Sequence, residues 1–290
     1  MALNAQAQFL SILELTKGLL ENSPKRLQHL EVFPFHHVEG DSLRYVRTPE
    51  LTPASIIGFG DPIPDNTTIP NEPITFPMSE LATSFLVAYK GQDIYSYTND
   101  LVKLEEHLAT RQLLYKFSEQ LESGTNGFLG FTQLIQPSNV TDLNGNTLKL
   151  EDLDRAKGQI RVKEGESGVI FTNQSGYEQI RKAYYNRNQI PPVVNGKSSF
   201  DGWKIYINDF QPTHKIKDKD KDKLTTNIWF ASLGMDALHG IIPENVGDNM
   251  FVTRNTIRTE GSEIVVHKTW PVGLALGSQA ALSSLKNVAI

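Results

Sequence analysis

The chain contains no cysteine in 290 residues. Disulfide bonds, thiolate zinc sites and cysteine nucleophiles are therefore excluded. Positive charge is also not in excess, because 28 lysine and arginine residues stand against 33 aspartate and glutamate residues, which gives a formal net charge of −5. A protein whose main task is to coat nucleic acid needs clustered basic residues in excess. That class of protein is disfavoured.

Long apolar runs are missing as well. Glu14 and Lys17 interrupt the apolar pattern at the N-terminus, which does not resemble a secretory signal peptide. The longest run without a charge, Thr269 to Leu285, is shorter than a membrane span and contains Pro271 and several serines and glycines. We interpret this run as strands and turns, and we predict no association with a membrane.

The common catalytic signatures are absent. The sequence has no Gly-x-Ser-x-Gly, His-Glu-x-x-His or Walker-type motif. Gly58 and Gly60, and likewise Gly124, Gly127 and Gly130, do not stand between a predicted strand and a predicted helix, as a phosphate-binding loop requires. We predict that these glycines form turns.

One cluster, His36, His37 and Glu39, has the side chains of a zinc site. Adjacent residues of an extended segment point to opposite faces, so the two histidines are not expected to share a metal ion. An α+β enzyme would need polar residues that converge in a pocket, and the sequence shows no such set. We therefore predict no catalytic, cofactor-binding or metal-binding residues, no cofactor and no enzymatic activity.

The run from Lys215 to Leu224 reads KIKDKDKDKL. Its three aspartates match the first three ligand positions of a calcium-binding loop, but Lys223 stands where that loop needs glycine and Trp229 where it needs glutamate. The interleaved lysines would also repel a cation, and the run carries little net charge for phosphate. We predict a solvated loop.

Helices and strands alternate along the chain. Apolar residues from Phe9 to Leu20 have helical spacing until Asn22-Ser23-Pro24 ends the pattern, and Asn99 to Glu122 predicts a long helix that Gly124 ends. Further helices are predicted near Leu150 to Ala156 and Gly176 to Tyr185, and strands at Ser42 to Thr48, Val169 to Thr172, Trp203 to Ile207, Ile228 to Ala231 and within Ile264 to Lys286. The fold class is α+β, without an internal repeat.

Pro49 to Pro77 has a different composition. Seven of the 15 prolines fall within these 29 residues. Each proline removes a backbone donor and fixes φ, which excludes a helix and a central strand. A loop this long inside a compact domain is usually functional or disordered, and this one is expected to lie against neighbouring chains.

The order of these elements resembles the major capsid protein of tailed bacteriophages, which has the Hong Kong 97 fold that encapsulin shells share. The likeness covers nearly the whole chain. The stretches that carry it are LELTKGLLENSP at Leu13 to Pro24, VEGDSLRYVR at Val38 to Arg47, FDGWKIYINDF at Phe200 to Phe210, NIWFASLGMDALHGIIP at Asn227 to Pro243 and WPVGLALGSQAALSSLKNV at Trp270 to Val288.

The resemblance implies a division of the chain. Residues 1–38 would be an N-terminal arm, 39–92 an extended loop called the E-loop, 93–149 and 251–290 a peripheral domain with the long helix as its spine, and 150–250 an axial domain. It also implies pentamers and hexamers in an icosahedral virion shell, which is assembled in the host bacterial cytoplasm and encloses double-stranded DNA without sequence-specific binding. The alternative that it leaves open is an encapsulin-type shell around a cargo enzyme.

Two departures from the family refine this expectation. Some members link their subunits through an isopeptide bond from an E-loop lysine, but no lysine occurs here between Lys25 and Lys90. We therefore predict no such link from this loop. The predicted N-terminal arm begins almost at Met1, which favours a separate scaffold protein or none. The resemblance also allows portal and decoration proteins as partners. Within the axial domain, the Lys/Asp run is predicted to be an exposed loop that tolerates a Gly/Ser linker.

Overall fold

The computed structural model describes most of the chain. The described residues are 25–47, 56, 58–59, 72–88, 101–124, 128–163, 167–194, 196–218, 221–244, 250–258 and 263–290. The predicted N-terminal helix from Phe9 to Leu20 lies outside them, as does most of the proline-rich segment.

Four helices and fifteen strands are found in these residues. The helices are α1 (Leu101–Ser123), α2 (Phe131–Leu134), α3 (Leu150–Gly158) and α4 (Gln174–Tyr185). The strands are β1 (Phe35–Val38), β2 (Ser42–Arg47), β3 (Glu72–Pro77), β4 (Ser79–Ala88), β5 (Val140–Asp142), β6 (Ser167–Thr172), β7 (Val193–Val194), β8 (Lys197–Phe200), β9 (Trp203–Ile207), β10 (His214–Asp218), β11 (Lys221–Leu233), β12 (Leu238–Pro243), β13 (Val252–Arg258), β14 (Glu263–Leu276) and β15 (Leu282–Ala289). Short 3₁₀ turns occupy Gln28–Glu31, Pro137–Asn139 and Gln279–Ala281.

Thirteen strands form one mixed sheet. Its main path runs β13-β14-β12-β11-β6-β9-β8-β7, with β4 beside β14, β1 beside β12, and β10 and β15 beside β11. The long strand β14 changes partner along its length. Its residues 263–272 pair with β4, and its residues 273–276 pair with β12. The remaining strands, β2 and β3, form a separate antiparallel pair.

The buried residues of helix α1 recur every four positions, so several turns of the helix pack against the core. Ala109, Leu113, Phe117 and Leu121 are all buried at this spacing, which places them on one face of a helix. Gly124 ends the helix in the left-handed conformation, with φ +55, and its N–H donates to the Gln120 carbonyl at 2.8 Å. The predicted helix and its glycine stop are confirmed.

Two hydrophobic clusters lie on opposite faces of the sheet. Along β11, Trp229 and Ala231 belong to the cluster that packs against α1, whereas Ile228 and Phe230 belong to the cluster that packs against α3 and α4. This alternation follows from the period of two in a strand that is buried on both faces. The predicted helices around Leu150 to Ala156 and Gly176 to Tyr185 are confirmed by α3 and α4, and the strand at Trp203 to Ile207 by β9.

One structural prediction needs correction, and one strand has no counterpart among the predictions. The run from Lys215 to Leu224 is not an irregular loop, because β10 and the first residues of β11 pair as an antiparallel hairpin. Strand β4 was not predicted, although ten of its residues pair with β14. At the end of the proline-rich segment, β3 pairs only with β2, which agrees with the expectation that no central strand forms there.

The division into an arm, an E-loop and two domains stays a prediction. The contacts of β15 bear on where a boundary could fall, because this strand from the predicted peripheral range pairs with β11 from the predicted axial range. Leu285 and Val288 also pack in the cluster of α3 and α4.

Candidate assembly surface

The β2–β3 pair has one covered and one exposed face. Phe76 is almost fully buried in the hydrophobic cluster that packs against α1, and Leu43, Tyr45 and Ile74 pack against the same cluster. Val46, on the neighbouring position of β2, is 64% exposed. From here on, the arm means this β2–β3 pair and not the predicted N-terminal arm of residues 1–38. Its base is fixed to the sheet, while its outer side carries apolar surface into solvent.

Beyond the arm, two large apolar side chains have no cover at all. Ile56 and Phe59, which lie between β2 and β3 in the chain, are fully exposed. Single exposed apolar residues are ordinary, but two fully exposed ones in the segment that connects β2 and β3 indicate a contact surface.

A cluster of three rings holds the base of the arm. The Tyr45 hydroxyl lies 3.2 Å from His239 Nε2, and the ring of His36 lies 5.0 Å from that of His239, edge to face. His239 Nδ1 lies 3.3 Å from the Ala237 carbonyl. The Tyr45 hydroxyl also donates to the Met235 carbonyl at 3.3 Å, so its one proton is shared between that oxygen and His239 Nε2, which accepts when Nδ1 carries the ring proton. The cluster thus joins β1, β2 and β12.

Burial sets the protonation of this cluster. It lowers the pKa of His239 to about 4, with a further lowering from the neighbouring His36. The pKa of His36 is also lowered, first by burial and then by His37. Both rings of the pair are therefore neutral at pH 7. Two imidazoles 5.0 Å apart would repel each other if both became charged.

The structure separates the residues of the rejected zinc cluster. His36 faces His239, whereas the neighbouring His37 is exposed, as alternation along β1 predicts. Within the described part of the chain, no three metal-binding side chains lie close enough together to hold an ion.

The alternating charges of the Lys/Asp hairpin favour one pairing register of its two strands. Lys217 stands opposite Asp222, and Asp218 stands opposite Lys221. In a run of alternating charges, a hairpin with a two-residue turn always places lysine opposite aspartate, whereas a slip by one residue would oppose like charges. The alternation therefore specifies register.

A buried polar network connects α1 to the base of this hairpin. Asn227 Nδ2 donates to Glu122 Oε1 and also lies 3.2 Å from His214 Nε2. Burial raises the pKa of Glu122, while Asn227 and then His214 lower it. Asn227 Oδ1 also accepts from the N–H of Asn287, at the point where the register between β11 and β15 shifts. No local pattern along the chain predicts this network, because its members are far apart in the sequence.

Among the described residues, clefts open beside the arm and over Trp229. A cleft of about 610 Å³ lies beside the arm, between Tyr45 and Val46 on one side and the exposed ion pair of Lys163 and Asp236 on the other. A second cleft, of about 410 Å³, lies over Trp229. The ion pair in the first is solvated at 3.1 Å, so it is a weak contact.

The end of the main sheet presents an apolar tip. Ile190 is 87% exposed and Val193 is 63% exposed, just before and within the terminal strand β7. Together with Val46, Ile56 and Phe59, these two side chains are among the most exposed large apolar residues that the structure describes. Such surfaces are typical of contacts with other protein chains.

Solved structures resemble the chain over nearly its whole length. The holo-SrpI encapsulin complex from Synechococcus elongatus PCC 7942 matches with a TM-score of 0.71 at 15% identity, covering 99% of this chain and 95% of the other. The capsid of a native GTA particle matches with a TM-score of 0.69 at 13% identity, covering 100% and 99%. A chain of Microbacterium phage Oxtober96 matches with a TM-score of 0.65 at 11% identity, covering 97% and 98%.

No protein-family model matches the chain, and no curated protein matches its sequence. Among the described residues, no helix is both long and apolar enough to cross a membrane. The structural likeness nevertheless covers every part of the architecture that is described above. The chain has the α+β fold of the Hong Kong 97 type, as predicted from the sequence.

Proposed function

We propose that this chain is the major capsid protein of a tailed bacteriophage. Its copies assemble as pentamers and hexamers into an icosahedral head, which forms in the host bacterial cytoplasm and encloses double-stranded DNA. The observation that carries the proposal is the likeness over 97% of this chain and 98% of the other to a phage chain, and over 100% and 99% to a capsid subunit.

The surface of the chain supports the proposal on physical grounds. A subunit that keeps Ile56 and Phe59 fully exposed, and Ile190 nearly so, loses free energy as a monomer. Neighbouring copies that cover these side chains recover it, so the stability of the folded chain is coupled to assembly. The function proposed is structural, and no cofactor takes part in it.

An encapsulin-type shell around a cargo enzyme is the second candidate. It is favoured by the match to an encapsulin complex, whose TM-score of 0.71 covers 99% of this chain. Both candidates use the same subunit architecture. They differ in what the shell encloses.

The contents of the particle distinguish the two. Particles purified from cells that carry the gene would be imaged by electron cryomicroscopy, and their contents extracted after nuclease treatment of the outside. Tailed particles with protected double-stranded DNA are expected. Tailless shells that contain one abundant foreign protein and no DNA would establish the encapsulin alternative, and a protein that never leaves the monomeric state would exclude both.

A further inference from the structure

The arm is attached to the main sheet through side chains. In the described part of the chain, its two strands pair only with each other, whereas β1 before the arm and β4 after it belong to the thirteen-stranded sheet. On its inner side, Phe76 belongs to the hydrophobic cluster, and Leu43 and Ile74 pack against that cluster. An element attached in this way can open locally while the strand ladders of the main sheet stay intact.

The arm has a short connection at each side of its base. Residues 39–41 separate β1 from β2, and Gly40 among them has φ +93, with open space where a Cβ would stand. Met78 is the single residue between β3 and β4, and its N–H donates to the Asp41 carbonyl at 3.0 Å. The two connections therefore lie side by side. They form one line about which β2 and β3 can turn together as a hinged unit.

The cluster of Tyr45, His36 and His239, called the ring cluster below, holds the arm at this base. The Tyr45 hydroxyl on β2 contacts His239 Nε2 on β12 and the Met235 carbonyl in the turn before β12. His36 on β1 packs against His239, and its Nε2 is buried without a hydrogen-bond partner among the described residues. The ring cluster thus joins one strand of the arm to two strands of the main sheet.

The charges around the ring cluster compensate an added proton poorly. Asp236 acts on His239 and favours its protonated form, but the Asp236 carboxylate already pairs with Lys163 at 3.1 Å. On β1, His37 acts on His36 in the opposite direction and disfavours its protonation. A positive charge on either ring of the pair also disfavours a charge on the other.

The strands packed around the ring cluster bring apolar side chains to it. Ala275 of β14 stands opposite His239, and the Phe76 ring of β3 lies 5.9 Å from that of Tyr45. A proton on His239 Nε2 would reverse the contact with Tyr45, because Nε2 would then donate and the hydroxyl proton would go to Met235. Hydrogen bonding alone therefore does not open the ring cluster. The cost arises from a charge in an apolar site, and water removes that cost once the arm has moved away.

We propose that the arm is an acid-released element, hinged at residues 39–41 and 78 and held at neutral pH by the ring cluster. Protonation of the two imidazoles favours a state in which the arm has turned away from the sheet and the rings are hydrated. This release is a property of the single chain, so it does not depend on the proposed function. In a shell, it would weaken the contacts that the outer side of the arm makes with neighbouring copies.

The size of the effect follows from the protons bound in each state. The pKa of His239 is about 4 in the closed state and about 6.5 for an imidazole in water. The closed state is therefore fully favoured above about pH 6.5 and loses this advantage as the pH falls towards 4. From this ring alone, the ratio of open to closed arms rises about 25-fold between pH 7.5 and pH 5. His36 acts in the same direction, because its pKa is also lowered in the closed state.

Hydrogen exchange tests the release. Peptides that cover residues 42–47 and 72–77 report on the arm, and peptides from β11 report on the main sheet of the same molecule. Exchange would be measured on the purified full chain at pH 7.5, 6 and 5, and each rate would be divided by the intrinsic rate at that pH. We expect the protection of the arm to fall at least tenfold from pH 7.5 to pH 5. It should also stay below the protection of β11 at each pH, as local opening requires.

Three variants connect the result to the ring cluster. His239→Gln should reduce the tenfold fall to less than threefold, and His36→Gln should reduce it in part. His36→Gln also serves as the test variant if His239→Gln loses protection in β11 at pH 7.5. The matched control is His37→Gln, which changes the exposed neighbour on β1 and should keep the full fall.

Four results would overturn the proposal. The first is a fall in arm protection of less than threefold in the parent chain, and the second is equal protection of the arm and β11, which would indicate global unfolding. The third is an equal reduction in His37→Gln. The fourth is a full fall in both His239→Gln and His36→Gln. If light scattering then showed that assemblies dissociate over the same pH range, the fall would be assigned to lost contacts between copies.

Discussion

Individual buried histidines give this protein an acid sensitivity. His29 and His239 are both almost fully buried, and burial lowers the pKa of each to about 4 from an unfolded value of about 6.5. Between these two pH values, the unfolded chain binds more protons than the folded chain. The free energy of unfolding therefore falls as the pH drops from about 6.5 to about 4, and these groups contribute no slope above that window.

We predict that His239→Gln reduces this loss of stability. Each histidine contributes a slope of at most about 1.4 kcal/mol per pH unit, and the variant removes one of the two. Thermal unfolding at several pH values between 7.5 and 4.5 would measure the difference between the variant and the parent. Burial raises the pKa of Glu122, which makes stability change with pH in the opposite direction. This contribution is the same in the variant and the parent, so it drops out of their difference. The control, His37→Gln, changes the exposed neighbour on β1 and should leave the slope intact. An unchanged slope in His239→Gln would contradict the account of the ring cluster.

At the scale of elements, the end of α1 depends on one glycine. A Cβ on Gly124 would lie 1.9 Å from the backbone nitrogen of Gly130, and backbone atoms cannot move aside cheaply. The left-handed φ adds about 1–2 kcal/mol for any other residue. We predict that Gly124→Ala destabilises the fold by more than about 3 kcal/mol in chemical denaturation.

The control for this prediction lies in another helix. Gly158 ends α3, and a Cβ there would meet nothing within 4 Å. Gly158→Ala should be neutral or stabilise the protein by up to about 1 kcal/mol, because alanine favours helix more than glycine does. Equal losses in both variants would mean that the contact between Gly124 and Gly130 has no special role.

The hairpin of β10 and β11 provides a test of register. Lys217→Asp would oppose two aspartates, because position 217 stands opposite Asp222, and we expect a loss of about 0.5 kcal/mol. Adding Asp222→Lys restores opposite charges and should recover most of it. Lys215→Asp is the control, since Lys215 stands opposite Leu224. A double variant that is no more stable than Lys217→Asp would remove the charge pattern as the cause of register.

The structure also changes what a replacement of this hairpin should do. Ile216 lies where a Cβ on Gly145 would be, within 2.7 Å, so the hairpin packs on the turn that follows β5. The earlier expectation of a freely replaceable loop therefore applies only to the exposed side chains of the hairpin. Ile216 is expected to be needed, and a Gly/Ser linker across it would lose this contact.

Sequence patterns predicted those elements whose signal is local. The four-residue repeat and glycine stop define α1, and the short strands β6 and β9 are apolar runs between turn residues. Strand β4 depends instead on its long pairing with β14, which no local pattern reveals. The hairpin was missed because lysine and aspartate disfavour strands singly, whereas the favourable pairing exists only across two strands. The network of Glu122 and Asn227 was missed for a similar reason, because these residues come together only in the folded chain.

At the scale of the whole molecule, the sequence also bears on how subunits are joined. No lysine stands between Lys25 and Lys90, so an E-loop isopeptide bond has no amine in that range. Boiled particles on a denaturing gel should therefore give one band at 32.4 kDa. A ladder of linked subunits would contradict this prediction.

The central claim is that the chain is built to complete its fold in a shell of its own copies. The apolar surface of the arm and the tip at β7 lies uncovered in a single chain, and the solved structures that resemble it over its full length include shells of encapsulin and capsid subunits. The most direct measurement is electron cryomicroscopy of the purified chain with no other protein added, after its mass has been measured by light scattering. We predict closed, roughly spherical shells with fivefold vertices, in which the arm of each subunit lies on a neighbour. A uniform population of stable monomers, with Ile56, Phe59 and Ile190 in solvent, would contradict the account.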